Sequence, residues 1–475
     1  MTSSSLTPAL IDGEEVSGDA RSEVRSPYDG RVVGVVPTLT EADIDRAVAI
    51  ALERHRAGAP PAHERAAVLD RVAELLAARV DEFATSISEE SAKPITTATV
   101  EANRAIDTIR FSAAVARTLT GEVVPLDASP AGVGKLGFVR RVPVGVVGAI
   151  SPFNFPLNLV CHKIAPAVAA GCPVVLKPAS STPLTALRIA ALFHEAGLPA
   201  GWLNVVTCPG SVADRIVTHD DVAMITFTGS PDVGWGIRGR APRKRVSLEL
   251  GNNAPVIIEP DGDWATAAAK VAVAGYSFAG QSCISVQRVF VHESIHEGFV
   301  AALGEKVSSL KVGDPSDPAT EVSALISSKE TQRVKEWVDE AAAEGAAVVV
   351  GGTIGDDGVL SPTLLDGVEP DMRVCNTEVF GPVVGVQPYS DFETALALAN
   401  DTRYGLQAGV FTASLASALR AGEVLDFGGV MVNEVPTWRA DQMPYGGVRD
   451  SGNTREGPAY TVQEMTERRL VVLQP

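Results

Sequence analysis

Short runs of β-branched and aliphatic residues alternate with longer helical stretches from residue 142 to residue 251. The runs predict strands at 144–150, 174–176, 205–206, 224–227 and 246–249. Helices are predicted between them, at 157–170, 183–196 and 231–238. The strand positions are apolar on both faces instead of alternating with polar residues, which is typical of a parallel sheet covered by helices on both sides.

A second series of the same kind begins at residue 256. It predicts strands at 256–258, 286–291, 346–350, 383–386, 408–411 and 430–432, with helices that include 264–278 and 331–343. The two α/β units meet near residues 251–255. Because ligands of open parallel sheets bind at the carboxyl ends of the strands, we expect the reaction site in a cleft between the units.

Two segments belong to neither series. Residues 123–142 are rich in Gly, Pro and Val and predict an extended hairpin. The tail, 466–473, runs from Arg468 and Arg469 into four apolar residues, which predicts an edge strand.

Composition and charge exclude several classes of protein. With 475 residues the chain is too long for one ordinary core, and its net charge of −18 disfavours a nucleic-acid partner. The most apolar stretch, 164–176, is broken by Pro and Gly and is shorter than the roughly 20 residues that cross a membrane, so we expect no membrane partner. The amino terminus has no basic start and no apolar core, so we expect no signal peptide. Five cysteines without a C-x-x-C pair disfavour both disulfides and a metal site, and they indicate a reducing, cytoplasmic location.

The candidate chemistry centres on Cys283, within Gly-Gln-Ser-Cys-Ile-Ser, and on Glu249 upstream. A thiolate can attack an electrophilic carbon, and a nearby carboxylate can then activate water to release the acyl group. The residues alone leave two alternatives open. Cys283 could be a buried, inert cysteine, and Glu249 could form an ion pair with a basic residue of the segment 243–245.

Seven short motifs extend this chemistry over nearly the whole chain. They are Ser151-Pro152-Phe153-Asn154-Phe155-Pro156, Lys177-Pro178-Ala179-Ser180, Phe227-Thr228-Gly229-Ser230, Glu249-Leu250-Gly251, Gly280-Gln281-Ser282-Cys283, Glu378-Val379-Phe380-Gly381-Pro382 and Met443-Pro444-Tyr445-Gly446-Gly447. Together they resemble the aldehyde dehydrogenase superfamily, in its NAD(P)-dependent, non-acylating branch. The segment 438–444 resembles the subgroup of lactaldehyde and phosphonoacetaldehyde dehydrogenases.

The resemblance implies two Rossmann-like α/β domains with the active site in the cleft between them, and a small β oligomerisation arm. Residues 1–122 and 143–251 would form the dinucleotide-binding domain and 252–433 the catalytic domain. Residues 123–142 and 460–475 would form the arm, whose tail strand adds to a partner subunit's sheet. A homodimer or homotetramer is therefore expected.

The resemblance also implies catalytic roles. Cys283 would be the nucleophile and Glu249 the general base, with Lys177 also in the catalytic set. Asn154 and the backbone N–H of Cys283 would stabilise the oxyanion. Glu456 matches a second carboxylate that relays protons in the family, although an ordinary surface ion pair fits it equally well.

The cofactor site lacks the G-x-G-x-x-G fingerprint, and Gly229-Ser230 at the start of a helix is the substitute that could bind a phosphate. Ser is also a favoured helix cap, so a purely structural role fits it as well. By resemblance, Lys177 binds the adenine ribose and Glu378 the nicotinamide ribose. Ser180 repels neither a 2′-hydroxyl nor a 2′-phosphate, and Arg215 could assist a phosphate, so either NAD or NADP fits as the cofactor and the choice between them stays open. The full predicted set is Ile150, Ser151, Pro152, Phe153, Lys177, Ala179, Ser180, Gly210, Phe227, Gly229, Ser230, Val233, Leu250, Gly251, Glu378 and Phe380.

The substrate prediction is a small polar or anionic aldehyde of the lactaldehyde, semialdehyde or phosphonoaldehyde type. Arg439 is expected to face an anionic tail, assisted by Arg104 or Arg110. Aromatic residues would line the channel, namely Phe153, Phe155, Tyr276 and Trp438. Ser282 and Phe155 stand where phosphate- or phosphonate-handling relatives often carry Arg and His, which argues against those two substrates. The alternatives are a CoA-acylating enzyme, against which Glu249 argues, and a non-catalytic dinucleotide-binding protein on the same fold.

Overall fold

The computed structural model describes residues 6–475. Two strand pairs and four helices precede the first predicted series. They are β1 (Ala9–Ile11), β2 (Glu14–Val16), β3 (Ala20–Arg25), β4 (Val32–Thr38), α1 (Glu41–Ala57), α2 (Ala62–Ala77), α3 (Val80–Ser91) and α4 (Ile95–Thr118). Helix α1 starts at a reciprocal cap in which the Thr40 side chain accepts from the Asp43 backbone and the Asp43 side chain accepts from the Thr40 backbone.

The next segment carries the hairpin and the first α/β series. Its elements are β5 (Glu122–Val124), β6 (Leu136–Pro143), β7 (Val146–Ile150), α5 (Asn158–Ala170), β8 (Val174–Lys177), α6 (Leu184–Glu195), β9 (Leu203–Val205), α7 (Gly210–Thr218), β10 (Val222–Thr228), α8 (Pro231–Arg240) and β11 (Arg245–Glu249). The strands form a seven-stranded sheet in the order β11-β10-β7-β8-β9-β1-β2. Strands β7 to β11 are parallel, but β1 runs antiparallel to both β9 and β2. The expectation of a wholly parallel sheet is corrected there, because β1 and β2 come from the amino terminus and not from a strand–helix–strand crossover.

The second series builds another seven-stranded sheet, in the order β14-β15-β16-β13-β12-β17-β18. Its elements are β12 (Ala254–Ile258), α9 (Trp264–Tyr276), β13 (Val286–His292), α10 (His296–Ser308), α11 (Ser328–Ala343), β14 (Ala347–Val350), β15 (Thr363–Asp366), α12 (Arg373–Asn376), β16 (Val383–Tyr389), α13 (Phe392–Asn400), β17 (Gln407–Phe411), α14 (Leu415–Val424) and β18 (Gly429–Val432). Strand β14 was predicted within the parallel series, but it pairs antiparallel with β15, a strand that was not predicted. Parallel neighbours need a crossover connection, which is usually a helix. The segment between β14 and β15 contains no helix, so the two strands pair antiparallel.

The carboxyl terminus supplies α15 (Pro458–Glu464) and β19 (Thr466–Leu473). Strand β19 pairs antiparallel with β6 along its whole length, from Thr466 opposite Pro143 to Leu473 opposite Leu136. The three-stranded sheet has the order β19-β6-β5, so the tail strand pairs within its own chain and leaves its other edge at the sheet border.

Residues 433–457 return from the second sheet to the first as an irregular segment. It forms isolated bridges between Tyr445 and Glu456 and between Glu249 and Gly452. Beyond residue 433, the segment lies outside the domains predicted from sequence, although it touches the end of β11 directly. The two sheets, each made mostly of parallel strands, confirm the predicted α/β fold class. Within residues 6–475, no helix is both long and apolar enough to cross a membrane.

Candidate active site

The loop that carries Cys283 is held in a strained conformation between α9 and β13. Phe278 and Ala279 have φ values of 50° and 52°, which residues other than glycine rarely adopt. A Cβ at Gly280 would lie 2.1 Å from the Gly381 carbonyl oxygen, so only glycine fits there. Strain of this kind persists only where surrounding contacts fix the backbone, and it is concentrated at functional sites.

Asn154 provides one of those contacts from the other sheet. Its Nδ2 donates to the Gln281 carbonyl at 3.0 Å, two residues before the cysteine. Lys93, which was not predicted, donates to the Asn154 carbonyl at 2.6 Å and forms a fully buried ion pair with Glu101. Glu101 in turn accepts from the backbone of Leu157 at 2.9 Å and so fixes the start of α5. Lys93 and Glu101 lie far from the seven motifs in the chain, and only their burial identifies them.

Cys283 is partly exposed, whereas the other four cysteines are buried. Its Sγ lies 2.8 Å from the hydroxyl oxygen of Tyr445. Burial raises the pKa of the thiol to about 12, and the hydrogen bond from Tyr445 opposes that shift. Exposure and a specific polar partner distinguish Cys283 from an inert core cysteine.

Glu249 is the last residue of β11, and both of its carboxylate oxygens are buried without a hydrogen-bond partner. Burial, followed by the nearby Glu456 carboxylate, raises the pKa of Glu249 well above its usual value. The alternative ion pair is absent among the described residues. Arg245 pairs with Glu467 at 2.6 Å, and Lys244 donates to backbone carbonyls. A buried carboxyl with free oxygens can take a proton from water.

A buried charge cluster, formed by His162, Lys163, Arg439, Asp441 and Glu456, lies beside Glu249. Arg439 Nη2 is 3.1 Å from His162 Nε2 and 3.5 Å from Glu456 Oε2. The His162 ring is also 3.0 Å from Asp441 Oδ1. Burial would raise the pKa of Glu456, but His162, Arg439 and Lys163 outweigh it, and the pKa is lowered. Glu456 is therefore a buried charged group and not the surface ion pair that fitted its sequence equally well.

Ser230 precedes α8 and forms no side-chain cap bond, so the first N–H groups of this helix are without that partner. A Cβ at Gly234 would lie 2.4 Å from Leu250 Cδ2, which shows how closely the helix approaches the end of β11. Val233 is exposed on the same first turn. The purely structural cap is not formed, and the free N–H groups suit an anionic phosphate.

A cavity of 140 Å³ lies beside the Lys177-Pro178-Ala179-Ser180 motif. Lys177 Nζ is 3.5 Å from Ser180 Oγ, and Ser180 also bonds to the Cys208 carbonyl at 3.3 Å. Thr38, which was not predicted, lines the same cavity from the end of β4. Arg215 is not among the lining residues and pairs with Asp45 at 2.6 Å, so the structure does not bring it to this cavity.

Glu378 is held where the two sheets meet. Its Oε1 accepts from the Asn252 backbone at 3.0 Å, and a Cβ at Gly251 would lie 2.2 Å from Oε2. Burial raises the pKa of Glu378 to about 7. Phe380 follows with φ 50° and packs edge-on against Phe153, with ring centroids 5.8 Å apart. Motifs separated by more than 200 residues in sequence thus meet at one edge.

The other predicted cofactor residues fall on the same strand ends and helix starts. Ile150 ends β7, and the Ser151 backbone donates to the Lys177 carbonyl at 3.2 Å before Pro152 begins the next loop. Phe227 lies in β10, and Gly210 is the first residue of α7. Their placement agrees with the carboxyl edge of the first sheet, which the strand pattern predicted.

The predicted substrate residues differ in their exposure to solvent and in their partners. Arg439 has a side chain only 6% exposed, and Arg104 binds Asp441 through two nitrogens, at 2.8 and 3.1 Å. Arg110 is 58% exposed, faces Asp107 at 3.8 Å and is not brought to the cysteine. Trp438 is 51% exposed.

The remaining predicted substrate residues flank the loop or lie in the core. Ser282 precedes Cys283 and accepts weakly from the Ile284 backbone at 3.5 Å, while the Phe155 ring covers Lys93 Nζ at 3.9 Å. Tyr276, expected in the channel wall, lies fully buried in the second core, where its hydroxyl donates to the Thr363 carbonyl at 2.9 Å. The channel prediction is corrected for Tyr276, because a ring enclosed by the core cannot line an open channel.

Comparisons with known proteins agree with this geometry. A curated relative, 3-sulfolactaldehyde dehydrogenase of Priestia aryabhattai, is 44% identical over 98% of this chain and 97% of its own length. Lactaldehyde dehydrogenase of Methanococcus aeolicus is 36% identical over 95% of this chain and 97% of its own length.

Solved structures give the same result. Aldehyde dehydrogenase 21 from Physcomitrella patens, in complex with the reaction product succinate, superposes with a TM-score of 0.96 at 38% identity over 99% of both chains. Glyceraldehyde-3-phosphate dehydrogenase GapN from Methanocaldococcus jannaschii, complexed with NADP, gives a TM-score of 0.92 at 36% identity over 96% of this chain and 100% of the other. The model of the aldehyde dehydrogenase family matches residues 15–471. This chain therefore belongs to the aldehyde dehydrogenase family.

Proposed function

We propose that the protein oxidises a small polar aldehyde to its carboxylic acid, with NAD or NADP as the hydride acceptor and without CoA. The observation that carries the hydrolytic branch is Glu249, whose two buried oxygens have no partner while its pKa is raised. A general base of that kind is what a water-dependent release of the acyl group needs. A CoA-acylating enzyme would not need it, since a second thiol would take the acyl group.

The chemistry of the chain's own residues proceeds in three steps. The Cys283 thiolate adds to the aldehyde carbon, and the carbonyl oxygen becomes an oxyanion that N–H donors of Asn154 and of the Cys283 backbone stabilise. When bound, a nicotinamide cofactor would supply the hydride acceptor that oxidation of this adduct to a Cys283 thioester requires. Glu249 then takes a proton from water, the hydroxide attacks the thioester carbon, and the thiolate leaves.

The cofactor assignment is supported by the fit of three features at one edge. The uncapped start of α8 suits a pyrophosphate, the cavity beside Lys177 and Ser180 suits a ribose, and Glu378 lies against Gly251, where ribose hydroxyls could reach it. No carboxylate stands at position 180 to repel a 2′-phosphate, so we propose that both dinucleotides are accepted.

The names of the relatives support a small hydroxylated substrate of the lactaldehyde or sulfolactaldehyde kind. Arg439 and Arg104 already pair with buried carboxylates, which weakens the assignment of either residue to an anionic tail. Arg110 is weaker still as a substrate ligand, because it is exposed and faces Asp107.

The domain boundaries, the location and the assembly are also proposed. We place the dinucleotide-binding domain at 1–122 and 143–251, the catalytic domain at 252–433, and the arm at 123–142 and 460–475. The cysteines are all free, which supports a cytoplasmic location. Strand β19 forms an edge of the arm and exposes Leu470, Val472 and Leu473, so we propose a homodimer or homotetramer that covers this edge. Light scattering coupled to size exclusion should give a mass at least twice that of the chain, and a monomer would contradict the proposal.

One kinetic panel tests the reaction. NAD(P)H formation would be measured with lactaldehyde, 3-sulfolactaldehyde, succinic semialdehyde and acetaldehyde, each with NAD or NADP and with or without CoA. We expect turnover without CoA, and an acid rather than a thioester as product. Strict dependence on CoA would replace this proposal with the acylating one, and no turnover with any aldehyde would favour a non-catalytic protein.

A further inference from the structure

Tyr445 is the one described group that hydrogen-bonds to the nucleophilic sulfur. Its hydroxyl lies 2.8 Å from Cys283 Sγ, and its ring is buried among apolar neighbours that include Ile284 and Leu406. A buried phenol hydroxyl seeks a polar partner. In this site, the sulfur atom that must become a thiolate is that partner.

Arg439 fixes this phenol from the other side. Its guanidinium carbon lies 3.8 Å from the centroid of the Tyr445 ring. The same guanidinium is held by His162 at 3.1 Å and by Glu456 at 3.5 Å, with the side chain only 6% exposed. A cation over the face of an aromatic ring is attracted to it, most strongly when desolvated, and it favours a more polarised hydroxyl donor.

A thiolate at this place needs such help, because both nearby carboxylates oppose it. Burial, and then the charges of Glu378 and Glu249, raise the pKa of the Cys283 thiol, whereas the Tyr445 hydrogen bond and the Arg439 charge lower it. Burial is the main cause that raises the pKa of Tyr445, and the charge of Cys283 and its hydrogen bond act in the same direction. These opposite effects are what a phenol donating to a thiolate produces, since that bond stabilises the ionised sulfur and the neutral phenol.

We propose that Tyr445 is a further catalytic residue, donating its hydroxyl hydrogen to the Cys283 thiolate, and that Arg439 is a positioning residue that acts through Tyr445. The proposal rests on the proposed function, because it concerns the same nucleophile. It also gives Arg439 a role at the nucleophile in place of the predicted contact with an anionic substrate.

The test is the rate at which iodoacetamide alkylates Cys283 in the full-length, cofactor-free protein, measured from mildly acidic to alkaline pH. In this reaction a sulfur–carbon bond forms and iodide leaves with the electron pair, so the rate follows the thiolate fraction. Tyr445→Phe should slow alkylation at neutral pH by roughly 10- to 100-fold, as expected for loss of one hydrogen bond to a charged group. The alkaline plateau should be unchanged. Mass spectrometry would assign the modified residue, and Cys283→Ala would show the background.

Tyr389→Phe is the matched control, since it also removes a buried phenol hydroxyl, one that donates to the Ile258 carbonyl in the second sheet. Its alkylation profile should superimpose on that of the unaltered protein. For the positioning role, Arg439→Gln should shift the Cys283 profile in the same direction as Tyr445→Phe. Arg439→Lys keeps the charge and is less prone to misfold. Its profile should lie between that of Arg439→Gln and that of the unaltered protein.

Superimposable profiles for Tyr445→Phe and the unaltered protein would overturn the proposal for Tyr445. A shift in Tyr445→Phe without one in either Arg439 variant would overturn the role of Arg439. Because alkylation needs neither aldehyde nor cofactor, failure of the aldehyde panel and failure of this inference are separate results.

Discussion

The cofactor side and the cysteine side of the active site are built in opposite ways. On the cofactor side, Ser180 and Val233 are exposed, and the start of α8 has no side-chain cap. On the cysteine side, the side chains of Glu249, Arg439 and Glu456 are enclosed. Arg439 and Glu456 form an ion pair, whereas the Glu249 oxygens have no hydrogen-bond partner. In the first region, hydrogen-bond donors are accessible to a ligand from solvent. In the second region, ionisable side chains are buried away from water.

The difference determines what a substitution should do. In the exposed region, water screens a new charge, so it changes selectivity by a modest factor. In the enclosed region, removal of one group leaves another buried group uncompensated, so either chemistry or stability should change strongly. The predictions below test this contrast, from the largest effect to the smallest.

Cys283→Ala should abolish aldehyde oxidation, with a loss on the order of 10⁴-fold or more, because the other described cysteines are buried and none replaces the nucleophile. Dinucleotide binding, measured by fluorescence titration, should stay near that of the unaltered protein. Appreciable turnover by this variant would remove the covalent mechanism.

Lys93→Met should lower the free energy of unfolding by about 3–5 kcal/mol, since it leaves Glu101 buried without its ion-pair partner. Denaturant unfolding would measure the change. Arg110→Ala is the exposed counterpart, and loss of its 3.8 Å pair with Asp107 should cost under about 1 kcal/mol. Equal effects of the two substitutions would break the contrast between enclosed and exposed regions.

Glu249→Gln should keep a single-turnover burst of NAD(P)H but slow steady turnover by about 10²-fold or more. In the unaltered protein, hydrolysis should become faster as pH rises through the raised pKa of Glu249, because only the carboxylate accepts a proton. The variant should lose this part of the profile in stopped-flow and steady-state measurements. If burst and steady rates fall together, Glu249 acts earlier than hydrolysis.

Ser180→Glu should weaken NADP relative to NAD by roughly 10- to 100-fold, because a carboxylate would face the 2′-phosphate at an exposed position where water screens the repulsion. The ratio of kcat/KM for the two cofactors gives the effect, with Ser180→Gln as the uncharged control. An unchanged ratio would show that residue 180 does not face the ribose.

Local patterns in the chain were sufficient for much of this architecture. Apolar runs predicted most strands of both sheets, because a parallel strand that is buried on both faces consists of consecutive apolar residues. The antiparallel direction of β14 and the existence of its partner β15 were not predicted, because hydrophobic periodicity does not encode the direction in which strands pair. Cys283, Glu249, Glu378 and Ser230 were identified as well, because each lies in a short motif that resembles the family.

The sequence by itself therefore determined the family, the two α/β series and the candidate nucleophile and base. Only the tertiary structure decided what surrounds them. Tyr445 reaches Cys283 across 162 residues and Arg439 reaches His162 across 277, through the returning segment 433–457, whose motif at 443–447 was visible in the sequence but whose contacts were not. Contacts over such separations depend on how the two sheets and this segment pack together, and the free energy of burying charged groups there is set by the assembled fold and not by any one stretch of chain.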